Sequence, residues 1–176
     1  MIFKVINNYY CSEQDIANLV NYMRKEGSLC NARLLYWCNS ENIGKIIAAQ
    51  IMMNKRITGR ESVQRNVVHF VFSFDAWNSK EGKIDKYVAS HIANRISIMI
   101  FPSRQSFYSV HTDTNNIHIH MMINALDVYG SLLSDERATY NHIQYLLKCI
   151  ISEISEVHLT FSQQDESFLP LPTQIP

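Results

Sequence analysis

The stretch Val110–Asn124, VHTDTNNIHIHMMIN, constrains this chain more than any other segment. On a β-strand, side chains two apart share a face. His118 and His120 therefore point the same way, and Asn124 follows them, while Ile117, Ile119, Met121 and Ile123 take the opposite face and can enter a core. His111 ends the preceding apolar run, Phe107 to Val110, and Thr114-Asn115-Asn116 is a polar turn between the two runs. This layout predicts a hairpin that brings His111 beside the other pair. Three imidazoles converging from adjacent strands make a facial metal site with open positions. Asp113, near the hairpin tip, is suited to hold one ligand's second ring nitrogen and fix its tautomer. A lone histidine would more often be a satisfied polar group. Three histidines and an aspartate on one hairpin, backed by a clean apolar face, point to a metal.

The 176 residues suit one domain with a substantial core. No run reaches the ~18 apolar residues of a membrane helix, and Met-Ile-Phe-Lys at the N-terminus lacks the apolar length of a signal peptide. No membrane insertion is expected. Cys11, Cys30, Cys38 and Cys149 are scattered without a C-x-x-C pair, and are read as reduced core thiols in a cytoplasmic protein. Net charge is zero, but its distribution is uneven. Between Met23 and Arg65, eight basic residues (Arg24, Lys25, Arg33, Lys45, Lys55, Arg56, Arg60, Arg65) stand against three acids. From Asp127 onward, seven acids stand against Arg137 and Lys148. One half could face phosphates while the other does not.

Residues 2–6 read as a first strand. Ser12 with Asp15 resembles a capping box, opening a helix through Ile16, Leu19, Val20 and Met23 that ends near Gly27. Leu34 to Trp37 is a short apolar run, a strand or a turn, and Ile43, Ile46, Ile47 and Ile51 have helical spacing. Val67 to Phe74, VVHFVFSF, is the best strand in the chain. Ile84, Tyr87, Val88, His91, Ile92, Arg95 and Ile96 mark a helix, and Tyr140, Ile143, Leu147, Ile150 and Ile154 mark the last one. The expected fold class is α+β, a central antiparallel β-sheet covered by helices. The folded domain is expected over 1–161, and the polar, Pro-containing stretch 162–176 is read as a flexible C-terminal tail.

A three-His site can activate water, bind dioxygen or act as a Lewis acid on a phosphodiester. The deciding question is whether the chain supplies its own nucleophile. Tyr22 stands apart among nine tyrosines because it sits at the end of the first helix, just off the apolar stripe, and is followed by Arg24, Lys25 and Gly27. A phenol there is exposed beside two cations that can hold a phosphate.

At this point the chain resembles a known family. H-x-D-x4-H-x-H-x3-N, His111 to Asn124, matches the third motif of the MobA-like conjugative relaxases of the HUH endonuclease superfamily. QDIANLVNYMRKEG resembles their first motif, whose tyrosine is the nucleophile, and Tyr22 takes that position. VVHFVFSF resembles their H-x3-S-F strand, which places His69 and Ser73, and TYNHIQYLLKCIISEI resembles the segment closing the relaxase domain. The resemblance implies an HUH-nuclease-like relaxase fold over 1–161 and cleavage of one DNA strand at the nick site of a plasmid or integrative-element transfer origin. Tyr22 would leave a 5′-phosphotyrosine and a free 3′-hydroxyl for later religation. His111, His118 and His120 would hold one divalent ion (Mn, Mg, Zn or Ni), with imidazoles suiting magnesium least. A free tyrosine titrates near 10, so the cation's charge matters to the attack.

The supporting roles follow from the residues. Asp113 orients a ligand or helps deprotonate the phenol. His69, Ser73 and Asn124 are candidates for substrate contact, although a polar strand face serves structure equally well. Arg24, Lys25, Arg56 and Arg60 are candidates for DNA backbone contact. Tyr36 and Trp37 could stack bases, though core packing suits them better. The implied partners are single-stranded or supercoiled DNA at the origin, accessory relaxosome proteins and a type IV secretion coupling protein, in a bacterial cytoplasm with translocation on the transferred strand. Three rival readings stand beside this one. A replication initiator would use Tyr140 or Tyr145 after the His motif, a DNA-binding relative would not cleave, and a metal-dependent hydrolase would use activated water.

Overall fold

The computed structural model describes residues 2–74, 84–133 and 137–154. The expected boundary at 161 and the tail 162–176 lie outside the described residues. The chain runs β1 (Ile2–Tyr10), α1 (Glu13–Met23), β2 (Leu29–Arg33), α2 (Ile43–Ile57), β3 (Val67–Ser73), α3 (Lys86–Met99), β4 (Ser106–His111), β5 (His118–Asn124) and α4 (Arg137–Ile154). The strands form one sheet in the order β1-β3-β5-β4-β2, antiparallel at every pairing. This is the expected α+β architecture.

Alternation along the strands sorts the side chains into two layers. Phe3, Val68, Phe70, Phe72, Tyr108, Val110, Ile119, Met121 and Ile123 pack against Ala89, Ile92 and Ile96 of α3 and Ile143, Leu147 and Ile150 of α4. Phe3 stacks on Phe72 with ring centroids 4.9 Å apart. On the other face, Ile16, Val20 and Met23 of α1 and Ile43, Ile47 and Ile51 of α2 cover Val67, Phe107 and Met122. The sheet is thus covered by a helix pair on each side.

Local signals explain where α1 sits. Ser12 Oγ accepts from the Asp15 amide at 3.1 Å, and the Asp15 carboxylate accepts from the Ser12 amide at 2.9 Å, which completes the anticipated capping box. These bonds to Ser12 hold the Asp15 carboxyl below its usual range. The helix ends earlier than expected, at Met23, with Arg24 as C-cap. Gly44 lets α2 approach closely: a Cβ there would lie 2.6 Å from Asn21 Oδ1 and 2.7 Å from the Ala17 carbonyl.

The structure corrects several expectations. The strand preceding the 34–37 run is β2, Leu29–Arg33, and Leu34 turns the chain out of it with φ 56°. Trp37 packs on Phe107, as core packing predicted, while Tyr36 is exposed. β1 extends to Tyr10 through a register shift between Ile6 and Tyr10. His91 and Tyr87 fall on the exposed side of α3, since its buried stripe is Ala89, Ile92, Ala93, Ile96 and Ser97. The cysteines are free; Cys30 and Cys38 are half-buried against the α1/α2 core layer, Cys149 is half-buried, and Cys11 is exposed rather than in the core.

Candidate active site

The hairpin of β4 and β5 forms as its alternation demands. His111 pairs directly with His118, and Ser109 with His120, so all three histidines project from the α1/α2 face. Their ring centroids lie 4.6 to 5.2 Å apart. One nitrogen from each ring lies within 4.8 Å of the others.

Hydrogen bonds decide which nitrogens remain open. His111 Nε2 donates to the Met23 carbonyl at 2.6 Å, and its Nδ1 is buried with no hydrogen-bond partner among the described residues. His118 Nδ1 donates to the Asn116 carbonyl at 3.0 Å, leaving Nε2. His120 Nδ1 lies 3.0 Å from His69 Nε2, also leaving Nε2. One engaged and one open nitrogen per ring is the pattern of oriented metal ligands. An orphaned buried lone pair on His111 would otherwise cost about 1–3 kcal/mol. Burial, reinforced by neighbouring imidazoles, pushes His120 down to about 3. Burial also lowers His111. Both rings are therefore uncharged at neutral pH and able to accept a cation. The three residues fit a divalent ion.

Tyr22 stands at this cluster. It lies on the last turn of α1, half exposed, with its ring edge-on to His120 at 5.5 Å between centroids. The Lys25 ammonium sits 5.3 Å from the centre of that ring. A cleft of about 590 Å³ opens here, lined by Tyr9, Tyr10, Asn18, Tyr22, His69 and His120 among others. Tyr22 and His120 thus share one mouth, with Lys25 beside the Tyr22 ring. Met23, next to Tyr22 in sequence, holds His111 through its carbonyl, so a hydrogen bond ties the helix bearing the phenol to the cluster.

Other candidates fall out differently. Asp113 reaches the cluster but does not hold a ligand's second nitrogen: Asn116 fixes that of His118, and Asp113 Oδ1 lies 3.7 Å from the open Nε2. Its carboxylate accepts from Lys25 at 3.0 Å, which holds the carboxyl below its usual range and raises the ammonium. Ser73 pairs directly with His118 and stays half-buried at the cluster's edge. His69 is 3% exposed at the floor of the cleft and has both nitrogens engaged, on His120 and Tyr10.

Arg24 is committed to the loop after β2, donating to the Ser40 carbonyl and to Asn39 Oδ1, both at 2.6 Å, which leaves Lys25 as the cation on Tyr22. Asn124 is buried; it donates to Gln105 Oε1 at 2.8 Å and accepts from the Leu126 amide at 2.9 Å, so it fastens the far end of β5. Arg60 Nε donates to the Gly130 carbonyl, and Arg56 is exposed on α2. Sequence reasoning missed Tyr10 and the Met23 and Asn116 carbonyls. Backbone acceptors leave no residue signature, and Tyr10 had only its place just before the capping box.

Comparisons with known proteins bear on the family and the fold. The family model "Relaxase: MobA/VirD2-like, nuclease domain" matches residues 10–154, which span β1's end to α4 and include every residue of the cluster. A solved structure titled "Molecular Basis of Vancomycin Resistance Transfer in Staphylococcus aureus" has a similar fold, with TM-score 0.50 and 8% identity over 76% of this chain and 74% of that one. No curated protein matches. The chain belongs to the MobA/VirD2-like relaxase family, and residues 10–154 are its nuclease domain.

Proposed function

We propose that this protein nicks one DNA strand at a plasmid or integrative-element transfer origin to begin conjugative transfer, with Tyr22 as nucleophile. His111, His118 and His120 hold one divalent ion, for which zinc, manganese or nickel suit the imidazoles better than magnesium. The observation that carries the reading is the Tyr22 ring, exposed and edge-on to His120 at the mouth of the three-His cluster. Bound there, the ion supplies Lewis-acid stabilisation of the negative charge that builds on the scissile phosphate.

The chain's own groups do the rest. Tyr22 Oη forms a bond to phosphorus as the bond to the 3′-oxygen breaks, giving a 5′-phosphotyrosine and a free 3′-hydroxyl. One phosphodiester replaces another, so the strand can be resealed. Lys25 places positive charge beside the phenol where charge develops, and Asp113 keeps that ammonium in position. Tyr9, half exposed in the same cleft, offers a face for base stacking. The initiator reading is disfavoured because α4, which carries Tyr145, packs on the opposite face of the sheet. In this reading accessory relaxosome proteins and a secretion coupling protein act with the domain. No helix among the described residues is long and apolar enough to cross a membrane.

The test is a covalent-adduct assay with a 3′-labelled single-stranded oligonucleotide spanning the cognate origin, run with Mn²⁺ or with chelator. A metal-dependent protein–DNA band that Tyr22→Phe abolishes is the expected result. Cleavage without a band would transfer the reading to a water-activating hydrolase. DNA binding with no cleavage would leave a non-catalytic relative.

A further inference from the structure

We propose that His69, anchored by Tyr10, is the positioning residue that fixes the metal-binding tautomer of His120, a neutral imidazole in the place where a carboxylate or carbonyl commonly stands. The inference rests on the metal reading of the cluster. It begins with register. His69 pairs with Met122 and Val71 pairs with His120, so His69 and His120 are diagonal neighbours on one face, within reach of each other's rings. Their centroids are 5.2 Å apart and the nitrogens 3.0 Å.

On the outer side of His69, Tyr10 Oη lies 3.2 Å from Nδ1. The shift in β1 makes that contact. Ile6 and Tyr10 are four positions apart, but their partners His69 and Val67 only two. Without the extra residues Tyr10 would pass beyond His69. The irregularity therefore places a hydroxyl where the imidazole needs one.

Only one arrangement of protons serves a metal. If Tyr10 Oη accepts from His69 Nδ1–H, then His69 Nε2 carries the lone pair and accepts from His120 Nδ1–H. The Nε2 lone pair of His120 is then open toward His111 and His118. The reverse chain would put a proton on His120 Nε2 and remove it as a ligand. A neutral acceptor differs from a carboxylate in charge: it orients His120 without adding a second negative charge to that of Asp113, 3.7 Å from His118 Nε2.

The experiment titrates zinc chloride into the whole chain against a chromophoric chelator, using wild type, His69→Leu, His69→Gln and His111→Ala, with circular dichroism to check folding. Removing such an orienting partner lowers metal affinity by roughly 10–100-fold, so His69→Leu is expected to fall in that range. His69→Gln, whose amide oxygen can accept from His120 and whose NH₂ can reach Tyr10, should regain most of the loss. Equal affinity in wild type and folded His69→Leu would overturn the proposal. Wild type that binds no zinc, or His111→Ala that binds as well as wild type, would instead overturn the metal reading and this role with it. Should His69→Leu not fold, ¹⁵N NMR of zinc-loaded wild type decides: a proton on His120 Nδ1 and none on Nε2 is expected, and the opposite placement would overturn the assignment.

Discussion

On the side of α3 and α4, β3 and β5 present Val68, Phe70, Phe72, Ile119, Met121 and Ile123, all buried in one continuous apolar layer. On the side of α1 and α2 the same two strands present Val67, His69, Val71, Ser73, His118, His120 and Met122. Here the helices cover only the Val67–Met122 end, and the cleft beside Tyr22 opens over the other. One strand thus does two jobs because its side chains alternate. The dry face fixes the backbone, and the fixed backbone aims imidazoles that would otherwise be mobile. The difference teaches that the precision of the site is set from behind the sheet, while its access is set by how far α1 and α2 extend in front.

That division can be broken from either side. Phe72→Ala removes a fully buried ring from the rear layer and is expected to cost about 3–5 kcal/mol, read as a lower urea midpoint. Because Phe72 pairs with Ile119, between His118 and His120, the remaining folded fraction should bind zinc more weakly than wild type, and unchanged affinity would show that the rear layer does not set the precision of the site. Gly44→Ala attacks the front. Its Cβ would meet the Ala17 carbonyl at 2.7 Å, so α1 and α2 must separate, at about 1–3 kcal/mol. Because α1 carries Tyr22 and holds His111 through Met23, adduct formation per folded molecule should slow as well. An unchanged rate would mean that helix spacing does not position the phenol.

Asn124→Ala sharpens the contrast within β5 itself. It leaves the Leu126 amide unpaired and should cost about 1–2 kcal/mol in urea unfolding. Adduct yield per folded molecule should not change, and a lower yield would return Asn124 to the substrate site.

Much of this arrangement was legible because it depends on local period. The hairpin, its apolar rear face and the convergence of three histidines follow from alternation and one polar turn. α1 followed from its capping box and stripe. What sequence could not supply was position along a face and pairing across strands. Asn124 shares a face with His120 but lies four residues on, about 13 Å at 3.3 Å per residue, and there it secures a strand end. His69 was grouped with possible phosphate contacts because its diagonal register with His120 is set by pairing that sequence does not show. β2 was missed because LCNAR has no apolar alternation; its place comes from backbone pairing with β4. Arg24 and Lys25 are neighbours in sequence, yet one secures a loop and the other meets Tyr22.

The central claim is that Tyr22 carries the DNA during catalysis, and mapping the adduct tests it most directly. Protein reacted with the origin oligonucleotide and Mn²⁺ would be digested with nuclease and trypsin, then sequenced by fragmentation mass spectrometry. The tryptic peptide is residues 5–24, which also contains Tyr9 and Tyr10, so fragmentation must place the modification within it. The account expects the nucleotide mass on Tyr22 alone. Modification of Tyr9, Tyr10 or a tyrosine elsewhere in the chain, or cleavage with no modified tyrosine, would contradict it.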